Sequence, residues 1–189
     1  MERSRGALWN RIPTFKDECP SCCTVCRVIR ELSAADLPAI WAINQENVPA
    51  VGEESPDALA QIVEESVSAL VVEIDSTPAG FCLVVPPGAK YDSPNYRYFC
   101  DRYDDFIYLD RVAITAAHQG KGLGAALYRE VERRARARWF TLEVNVVPPN
   151  EGSMRFHRRE GFREVDQLET RPGKIVSLMV KELEYRTDS

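Results

Sequence analysis

Apolar side chains recur with two different periods along this chain, and the changes of period predict its strands and helices. The first half predicts a strand at residues 25–31 and a helix that begins after Ser33. A second helix begins at Pro56, because proline at the first helical position gives up only an N–H that would be unpaired anyway. Apolar runs at residues 69–75 and 79–85 then flank a short turn, which predicts an antiparallel hairpin.

The second half predicts a strand–helix–strand unit followed by one helix and two strands. These elements occupy residues 106–114, 120–138, 140–146, 151–160, 162–165 and 174–183. Asn150 is the expected N-cap of the helix at residues 151–160. Residues 86–105 lack strand character, and a gap of that size in a compact domain is normally functional. A helix start at Pro94 inside this gap indicates a short helix that covers a pocket.

Length and composition indicate one globular domain. The 189 residues are 44% hydrophobic and 28% charged, which is ordinary for a folded domain of this size. The formal net charge of −5 argues against a nucleic-acid partner, which needs a clustered basic surface. The longest apolar runs are far below the ~20 residues that cross a bilayer, so we expect no membrane association. A cytoplasmic protein is therefore the expectation.

Residues 1–24 are expected to form an irregular N-terminal extension, with a single domain at residues 25–189. Four cysteines lie close together where this extension meets the domain, in the run Cys19-Pro-Ser-Cys22-Cys23-Thr-Val-Cys26. Zinc-binding Cys-x-x-Cys pairs that share one ion are usually separated by about 15 residues, whereas these pairs abut. We therefore expect an incidental thiol cluster and no metal.

A glycine-rich loop between a strand and a long amphipathic helix is the strongest chemical signal in the chain. It has the sequence Gln119-Gly120-Lys121-Gly122-Leu123-Gly124. Unpaired N–H groups and the helix dipole at such a position favour an anion, above all a phosphate. The loop lacks the serine or threonine of a Walker A motif and the third glycine of a dinucleotide fingerprint. A tight glycine turn without a ligand remains the structural alternative.

Two blocks of residues together resemble the GNAT (N-acetyltransferase) superfamily. The pattern Gln/Arg-x-x-Gly-x-Gly/Ala is present as Gln119, Gly122 and Gly124. The second block is Asn150-x-x-Ser153-x-x-Phe156-His157-x-x-x-Gly161-Phe162. The strings Tyr108-Leu-Asp110-Arg111-Val112 and Glu143-Val-Asn145 are similar to one branch of predicted acetyltransferases in this superfamily.

The resemblance implies an α/β (α+β) GNAT fold and acetyl-CoA as co-substrate. It implies a mixed, mostly antiparallel sheet of six to seven strands, helices on both faces, and fourth and fifth strands that are parallel and splayed. By the match, the loop of residues 119–124 holds the pyrophosphate of acetyl-CoA. Val112, Ala113 and Ile114 would lie along its pantetheine arm, which Asn150 would also face. A plain helix cap is the alternative role for Asn150.

Three residues are the candidates for proton transfer. In the family a tyrosine commonly protonates the departing thiolate, and His157 occupies that position here, with a packing role as the alternative. Strand alternation places Tyr108, Asp110 and Val112 on one face of the fourth strand, and Glu143 and Asn145 on one face of the fifth. Glu143 or Asp110 would then take the proton of the amine. The alternative for Asp110 is an internal ion pair, for instance with Arg111.

The expected function is acetyl-CoA-dependent N-acetylation of a small amine or amino acid-like acceptor, by direct attack on the thioester. The candidates for acceptor binding or for the wall of the acceptor pocket are Asn44, Glu46, Asn47, Tyr91, Asn95, Tyr96, Tyr108 and Asn145. A polar loop surface is the alternative for those that lie outside the strands. A homodimer is expected from the resemblance and from the frequency of two-fold assemblies. A catalytically weak acyl-CoA-binding regulatory module is the alternative, and a nucleotide-binding protein with the same loop is a third hypothesis.

Overall fold

A computed structural model describes residues 26–184 of the chain, and its centre is a seven-stranded sheet. The strands are β1 (Arg27–Glu31), β2 (Ser68–Ile74), β3 (Thr77–Val85), β4 (Phe106–Ile114), β5 (Trp139–Val147), β6 (Arg163–Arg171) and β7 (Lys174–Glu182). Their order across the sheet is β1-β2-β3-β4-β5-β7-β6. Only β4 and β5 run parallel, and the other neighbours are antiparallel. The predicted fold class, with parallel fourth and fifth strands in a mostly antiparallel sheet, is confirmed.

Five α-helices connect these strands, and local sequence explains where most of them begin. They are α1 (Leu37–Glu46), α2 (Pro56–Glu65), α3 (Pro94–Cys100), α4 (Leu123–Arg134) and α5 (Glu151–Arg159). Proline lies in the first turn of each of the first three helices. The Ser55 hydroxyl caps α2 by accepting from the N–H of Ala58, and the Asn150 side chain caps α5 by accepting from the N–H of Ser153.

The helices bury opposite faces of the sheet. Leu127 and Val131 of α4 pack against alternate strand residues such as Cys82 and Leu142. On the other face α1 and α2 cover β3, and α3 covers β4 and β7 through a cluster that includes Tyr96, Phe99 and Tyr108. Burial of both faces explains why β3 is apolar along almost its whole length. The cluster that contains Tyr96, Phe99 and Tyr108 borders the candidate active site.

Three elements differ from the sequence expectation. The helix predicted for residues 120–138 spans only Leu123–Arg134, because Gly122 adopts a left-handed conformation and Ala135 is extended. The strand predicted for residues 162–165 continues to Arg171, and its mostly polar sequence reflects its place at the sheet edge, where only Val165 and Leu168 pack against the core. The helix expected after Ser33 starts as a 3-10 turn at Ala34–Asp36 before α1 begins.

Between residues 26 and 184 no helix is long and apolar enough to cross a membrane. The same residues contain no group of three His, Cys, Asp or Glu side chains that could hold a metal ion. Cys26, Cys82 and Cys100 are free thiols. The predicted extension of residues 1–24, with three cysteines of the thiol cluster, lies outside the described residues.

Candidate active site

A wedge-shaped opening between β4 and β5 forms the centre of the site. The two strands pair over Phe106–Tyr108 and Trp139–Thr141 alone, although each strand is nine residues long. Beyond Tyr108 the edge of β4 that faces β5 therefore has no strand partner. Val112, Ala113 and Ile114, the residues predicted to lie along pantetheine, belong to this open part of β4.

Two carboxylates and two tyrosines lie beside the point where the strands separate. The Tyr108 hydroxyl donates to Glu143 Oε2 at 2.5 Å and so spans the opening from β4 to β5. The Tyr91 hydroxyl, from the loop before α3, donates to Asp110 Oδ1. The rings of Tyr91 and Tyr108 lie 6.2 Å apart. The structure thus brings together four of the residues that sequence analysis proposed for catalysis or acceptor binding.

Glu143 is poised to exchange a proton near neutral pH. Burial raises its carboxyl pKa to about 7, and the negative charge of Asp110 acts in the same direction. The hydrogen bond from Tyr108 and the side-chain amide of Asn95 oppose the shift by stabilising the carboxylate. A carboxylate with a pKa near the working pH is suited to general base chemistry.

Asp110 has a different environment because it is paired internally. The Arg111 Nε donates to Asp110 Oδ2 at 3.0 Å, and both side chains are at least 94% buried. Burial raises the pKa of Asp110, while the charge of Arg111 lowers it. The ion-pair alternative for Asp110 is therefore confirmed, and Glu143 is the carboxylate of the two without a guanidinium partner among the described contacts.

An irregularity in β4 explains how the neighbouring residues Asp110 and Arg111 come to lie together. The register between β3 and β4 shifts by one residue at this point, with Leu83 opposite Arg111 and Val84 opposite Leu109. A bulge changes the side on which the following side chains lie. The expectation that Val112 shares a face with Tyr108 is therefore wrong: Val112 packs in the core beneath α4, whereas Tyr108 packs beneath α3.

The glycine-rich loop has the geometry of an anion site. Gly122 is the N-cap residue of α4 at φ 78°, and no side chain caps the helix. Gly120 also has positive φ, at 72°, and a Cβ added at either glycine would meet no atom within 4 Å. The first helical bond of α4 is from the N–H of Ala126 to the carbonyl of Gly122. The N–H groups of residues 120–125 have no hydrogen-bond partner among the described contacts, and unpaired N–H groups at a helix start favour a phosphate.

The other residues of this loop have structural roles. A Cβ at Gly124 would lie 3.2 Å from the Phe156 ring, so this glycine allows α4 to approach α5. Leu123 is buried in the core, and Lys121 is exposed. The Gln119 side chain donates to the carbonyl of Ile114 at 3.1 Å and to Asn47 Oδ1 at 3.2 Å. Gln119 therefore ties the loop to the end of β4.

The end of helix α1 forms hydrogen bonds both with Arg111, on the side of the site where the acceptor is expected, and with the segment that leads into the glycine-rich loop. Asn44 is fully buried, accepts from Arg111 Nη1 at 2.9 Å and donates to the carbonyl of Gly52. Asn47 donates to the carbonyl of Ile114 at 3.2 Å, and Glu46 Oε1 accepts from the N–H of Ala116 at 2.9 Å. The polar atoms of Asn44 and Asn47, two acceptor-binding candidates, are thus hydrogen-bonded within the protein, which favours positioning roles.

Tyr96 and Asn145 are two further candidates for acceptor binding. The Tyr96 hydroxyl donates to the carbonyl of Pro86 at 2.8 Å and accepts from the N–H of Ala89 at 2.9 Å, which orders the loop before α3. Its ring packs 5.6 Å from the rings of Tyr91 and Tyr108, and these three rings form an aromatic wall beside the opening. Asn145 lies two residues beyond Glu143 on β5, and its carbonyl accepts from the N–H of Asn150.

Asn95 is a further candidate for the wall of the acceptor pocket, and the structure places it beside Glu143. It lies in the first turn of α3, is only 7% exposed, and its side-chain amide acts on Glu143. Its Oδ1 atom has no hydrogen-bond partner. The sequence signal for Asn95 was its place after the predicted helix start at Ser93-Pro94, in the connection expected to cover a pocket.

His157 lies on α5, and its side chain is buried against α4. Its Nε2 is 2.8 Å from the Tyr128 hydroxyl and its Nδ1 is 2.8 Å from the carbonyl of Ser153. Burial lowers the pKa of His157 to about 4, so the ring is neutral at pH 7. In that state Nδ1 donates to Ser153 and Nε2 accepts from Tyr128. These contacts favour the packing alternative over proton donation.

We expect His157 to make folding stability sensitive to acid. Its pKa is lower in the folded protein than the usual 6.5, so the unfolded chain binds the extra proton first. The free energy of unfolding should therefore fall, by up to roughly 3 kcal/mol, as pH decreases from 6.5 to about 4. Urea unfolding of His157→Phe should lack this component, whereas His118→Gln should retain it. A large loss of kcat in His157→Phe at unchanged stability would instead support proton donation.

The comparisons with known proteins agree with this geometry. A model of the acetyltransferase (GNAT) family matches residues 30–162 of the chain. The chain therefore belongs to the GNAT acetyltransferase family, whose members use acetyl-CoA.

Solved structures with the same fold come from several bacteria. The ribosomal-protein-S18-alanine N-acetyltransferase of Escherichia coli is 20% identical, with a TM-score of 0.64 over 86% of this chain and 97% of that one. The ribosomal-protein-alanine N-acetyltransferase of Brucella melitensis is 24% identical, with a TM-score of 0.63 over 82% and 99%. The yncA protein of Salmonella typhimurium, solved with its cofactor acetyl-CoA, is 22% identical, with a TM-score of 0.63 over 86% and 97%.

Proposed function

We propose that this protein is an acetyl-CoA-dependent N-acetyltransferase that acts on a small amine, with Glu143 as the general base. The observation that carries the proposal is the position of Glu143, a carboxylate with a pKa of about 7 at the opening between β4 and β5. The glycine-rich loop lies beyond the end of β4, and Tyr108 of the same strand donates a hydrogen bond to Glu143 of β5, so β4 links the anion site with the base. Cytoplasmic location and a homodimer remain predictions.

The residues that would hold acetyl-CoA are those whose backbone groups have no partner among the described contacts. N–H groups of residues 120–124 would bind its pyrophosphate, and the unpaired edge of β4 at Val112–Ile114 would bind its pantetheine arm. Asn150 already caps α5 through Ser153, so its polar contact with the arm would use its side-chain nitrogen. Bound acetyl-CoA supplies an acetyl group activated as a thioester. 

Glu143 would prepare the amine for attack. An alkylamine with a pKa near 10 is mostly protonated at pH 7 and is then not nucleophilic. The ammonium passes its first proton to Glu143, and the neutral nitrogen then forms a bond to the acetyl carbon while the carbon–sulfur bond breaks. The nitrogen loses its second proton, the sulfur takes up one proton, and Glu143 releases its own to water. No proton from His157 is needed in this scheme.

A substitution in the loop tests the cofactor site. Gly122→Ala adds a methyl group where the phosphate is expected and strains a residue at φ 78°. We expect the affinity for CoA, measured by calorimetry, to fall by ~10-fold or more. Gly173→Ala is the matched control, since Gly173 has φ 76° and nothing within 4 Å of an added Cβ, in the turn between β6 and β7. The control should lose similar stability and keep its affinity for CoA.

Thiol release from acetyl-CoA with a panel of amines distinguishes the proposal from its alternatives. Turnover with at least one primary amine supports the transferase. CoA binding without turnover of any amine would favour the regulatory module, for which the histidine at the family's tyrosine position is the supporting observation. Greater thermal stabilisation by ATP or NAD than by CoA would favour the nucleotide-binding hypothesis.

A further inference from the structure

Tyr108 is the last residue at which β4 still pairs with β5. Its strand partner is Thr141, and Glu143 lies two residues further along β5, where the two strands have separated. At about 3.3 Å per residue, Glu143 is roughly 7 Å beyond this last pair. The hydroxyl of Tyr108 nevertheless donates to Glu143 Oε2 at 2.5 Å. One side chain therefore connects the two strands just beyond the point where their backbones stop pairing.

Strand register places Glu143 and Tyr108 on the same face of the sheet. Glu143 is directly opposite Leu178 of β7, and directly opposed residues of an antiparallel pair share a face. Leu178 and Tyr108 belong to one buried apolar cluster, together with Phe99 of α3. The hydrogen bond between Tyr108 and Glu143 thus lies beside apolar side chains, where it is electrostatically stronger than in water.

The two partners differ in their access to solvent. Tyr108 is fully buried, with 0% of its surface exposed, whereas Glu143 keeps part of its surface exposed. An amine that enters from solvent would therefore meet Glu143 first, while Tyr108 binds the same carboxylate from the interior of the protein. Direct contact between Tyr108 and the acceptor, as expected from the sequence, would require the ring to leave its cluster.

The hydrogen bond from Tyr108 favours the state of Glu143 that a base requires. A donor to a carboxylate stabilises the ionised form and so opposes the effect of burial. Tyr108 keeps its own proton, because burial raises the pKa of its hydroxyl well above the usual value of 10. The bond can also persist after Glu143 has taken the proton of the amine, since a protonated carboxyl still accepts hydrogen bonds.

We propose that Tyr108 is a positioning residue for the base: its hydroxyl holds the carboxylate of Glu143 in place across the opening as the proton acceptor, without itself contacting the amine. The inference rests on the proposed N-acetyltransferase function and deepens it. The aromatic ring gives the side chain its reach and its packing, and the hydroxyl supplies the hydrogen bond. Phenylalanine at this position would keep the first two properties and lose the third.

Tyr108→Phe tests this role because it removes the donor and keeps the ring. Without the hydrogen bond the Glu143 carboxylate loses a group that stabilises its charge, so its pKa should rise further. The acidic limb of the pH profile of kcat/KM should therefore move to higher pH. We expect kcat/KM for a primary amine to fall by ~10-fold or more at pH 7 and by less at pH 9. The affinity for CoA, measured by calorimetry, should not change.

Two matched variants separate this bond from general effects of substitution. Tyr128→Phe removes another buried tyrosine hydroxyl, whose partner is His157 Nε2 at 2.8 Å on the opposite face of the sheet. Thr141→Val removes a second side-chain bond between β4 and β5, from Thr141 Oγ1 to the carbonyl of Ile107 at 3.1 Å. Both variants should keep the pH profile of the wild type.

The titration of Glu143 can also be measured without turnover. In protein labelled with ¹³C at the glutamate carboxyls, the NMR signal of Glu143 is the one that Glu143→Gln removes. Its midpoint should be at higher pH in Tyr108→Phe than in the wild type or either control. In wild-type protein labelled at tyrosine Cζ, one signal should titrate with the midpoint of Glu143 and lose this titration in Glu143→Gln. That signal tests the bond even if Tyr108→Phe did not fold.

The outcomes distinguish failure of this inference from failure of the proposed function. If Tyr108→Phe leaves both the acidic limb and the carboxyl midpoint unmoved, or if no tyrosine signal titrates with Glu143, the role of Tyr108 is overturned while the N-acetyltransferase function stays intact. An equal upward shift in Thr141→Val would also overturn it, because the shape of the opening would then set the titration. Absence of turnover with every amine would overturn the proposed function, and the role of Tyr108 in it, whatever the NMR midpoints show.

Discussion

Glu143→Gln is expected to lower kcat/KM for acetyl transfer by about 10²–10⁴-fold, the usual contribution of a general base. The amide keeps the shape of the side chain but has no carboxylate to take the proton from the ammonium. The KM for acetyl-CoA should not change, because the glycine-rich loop lies at the far end of β4. Steady-state kinetics at saturating acetyl-CoA measure the effect.

The pH dependence should change with the same substitution. The carboxyl of Glu143 has a pKa of about 7, so kcat/KM of the wild type should fall as pH decreases below that value and Glu143 becomes protonated. In Glu143→Gln the acidic limb near pH 7 should be absent, and the residual rate should rise with pH as free amine accumulates.

Stability provides a control against misfolding. Because the pKa of Glu143 is raised in the folded protein, its stabilising contribution is present at low pH and is lost as pH rises through about 7. Glu143→Gln should therefore be more stable than the wild type at pH 8 while being less active. Glu164→Gln is the matched variant, since Glu164 accepts a hydroxyl hydrogen bond from Ser177 at 2.5 Å on an outer part of the sheet. Comparable loss of activity in both variants would contradict the assignment of the base.

Local sequence signals predicted the elements that carry the site. The strand at Phe106–Ile114 was predicted with the bounds that the structure has, because a nine-residue run with few charges is flanked by turn residues. The hairpin of β2 and β3 and the Asn150 cap were equally local signals. The glycine loop was recognised because its spacing and its place between a strand and a helix reinforce each other.

Features that depend on tertiary contacts were not predictable in the same way. The bulge at Asp110 leaves no sequence signature. Strict alternation would place Arg111 on the face opposite to Tyr108, whereas the bulge places both on the same face of the sheet. Asn95 lies about 50 residues from Glu143 in the chain, and only the packing of α3 brings them together. The neutral state of His157 likewise follows from its burial, which depends on packing against another helix that carries Tyr128. Periodicity thus predicted the strands and helices, and the family resemblance implied how they assemble, while the chemistry of each side chain depended on its neighbours in space.

Arg111 connects three parts of the acceptor side, and its loss is expected to be the most destabilising single change in the site. Its side chain is 6% exposed, and its bonds reach β4, α1 and the loop between α1 and α2. Arg111→Met keeps much of the apolar volume of the side chain but leaves the Asp110 carboxylate buried without its counter-charge. Removing one partner of a buried ion pair typically costs about 3–5 kcal/mol, and we expect a loss of that size in urea unfolding at pH 8.

The cost of Arg111→Met should depend on pH with a defined sign. Burial already raises the pKa of Asp110, and Arg111 is the group that opposes this shift. Without Arg111 the pKa rises further, so the carboxyl is protonated and better tolerated at pH 5 than at pH 8. The difference in unfolding free energy between wild type and variant should therefore be smaller at pH 5.

A double-mutant cycle separates the ion pair from the other bonds of Arg111. Asp110→Asn combined with Arg111→Met should be more stable at pH 8 than the sum of the single changes predicts, because the unpaired charge is gone. Arg133→Met is the surface comparison: Arg133 pairs with Glu130 while 57% exposed, and such pairs contribute about 1 kcal/mol or less. Strict additivity in the cycle would show that Arg111 stabilises the site through Asn44, Gly52 and Glu54 rather than by balancing the charge of Asp110.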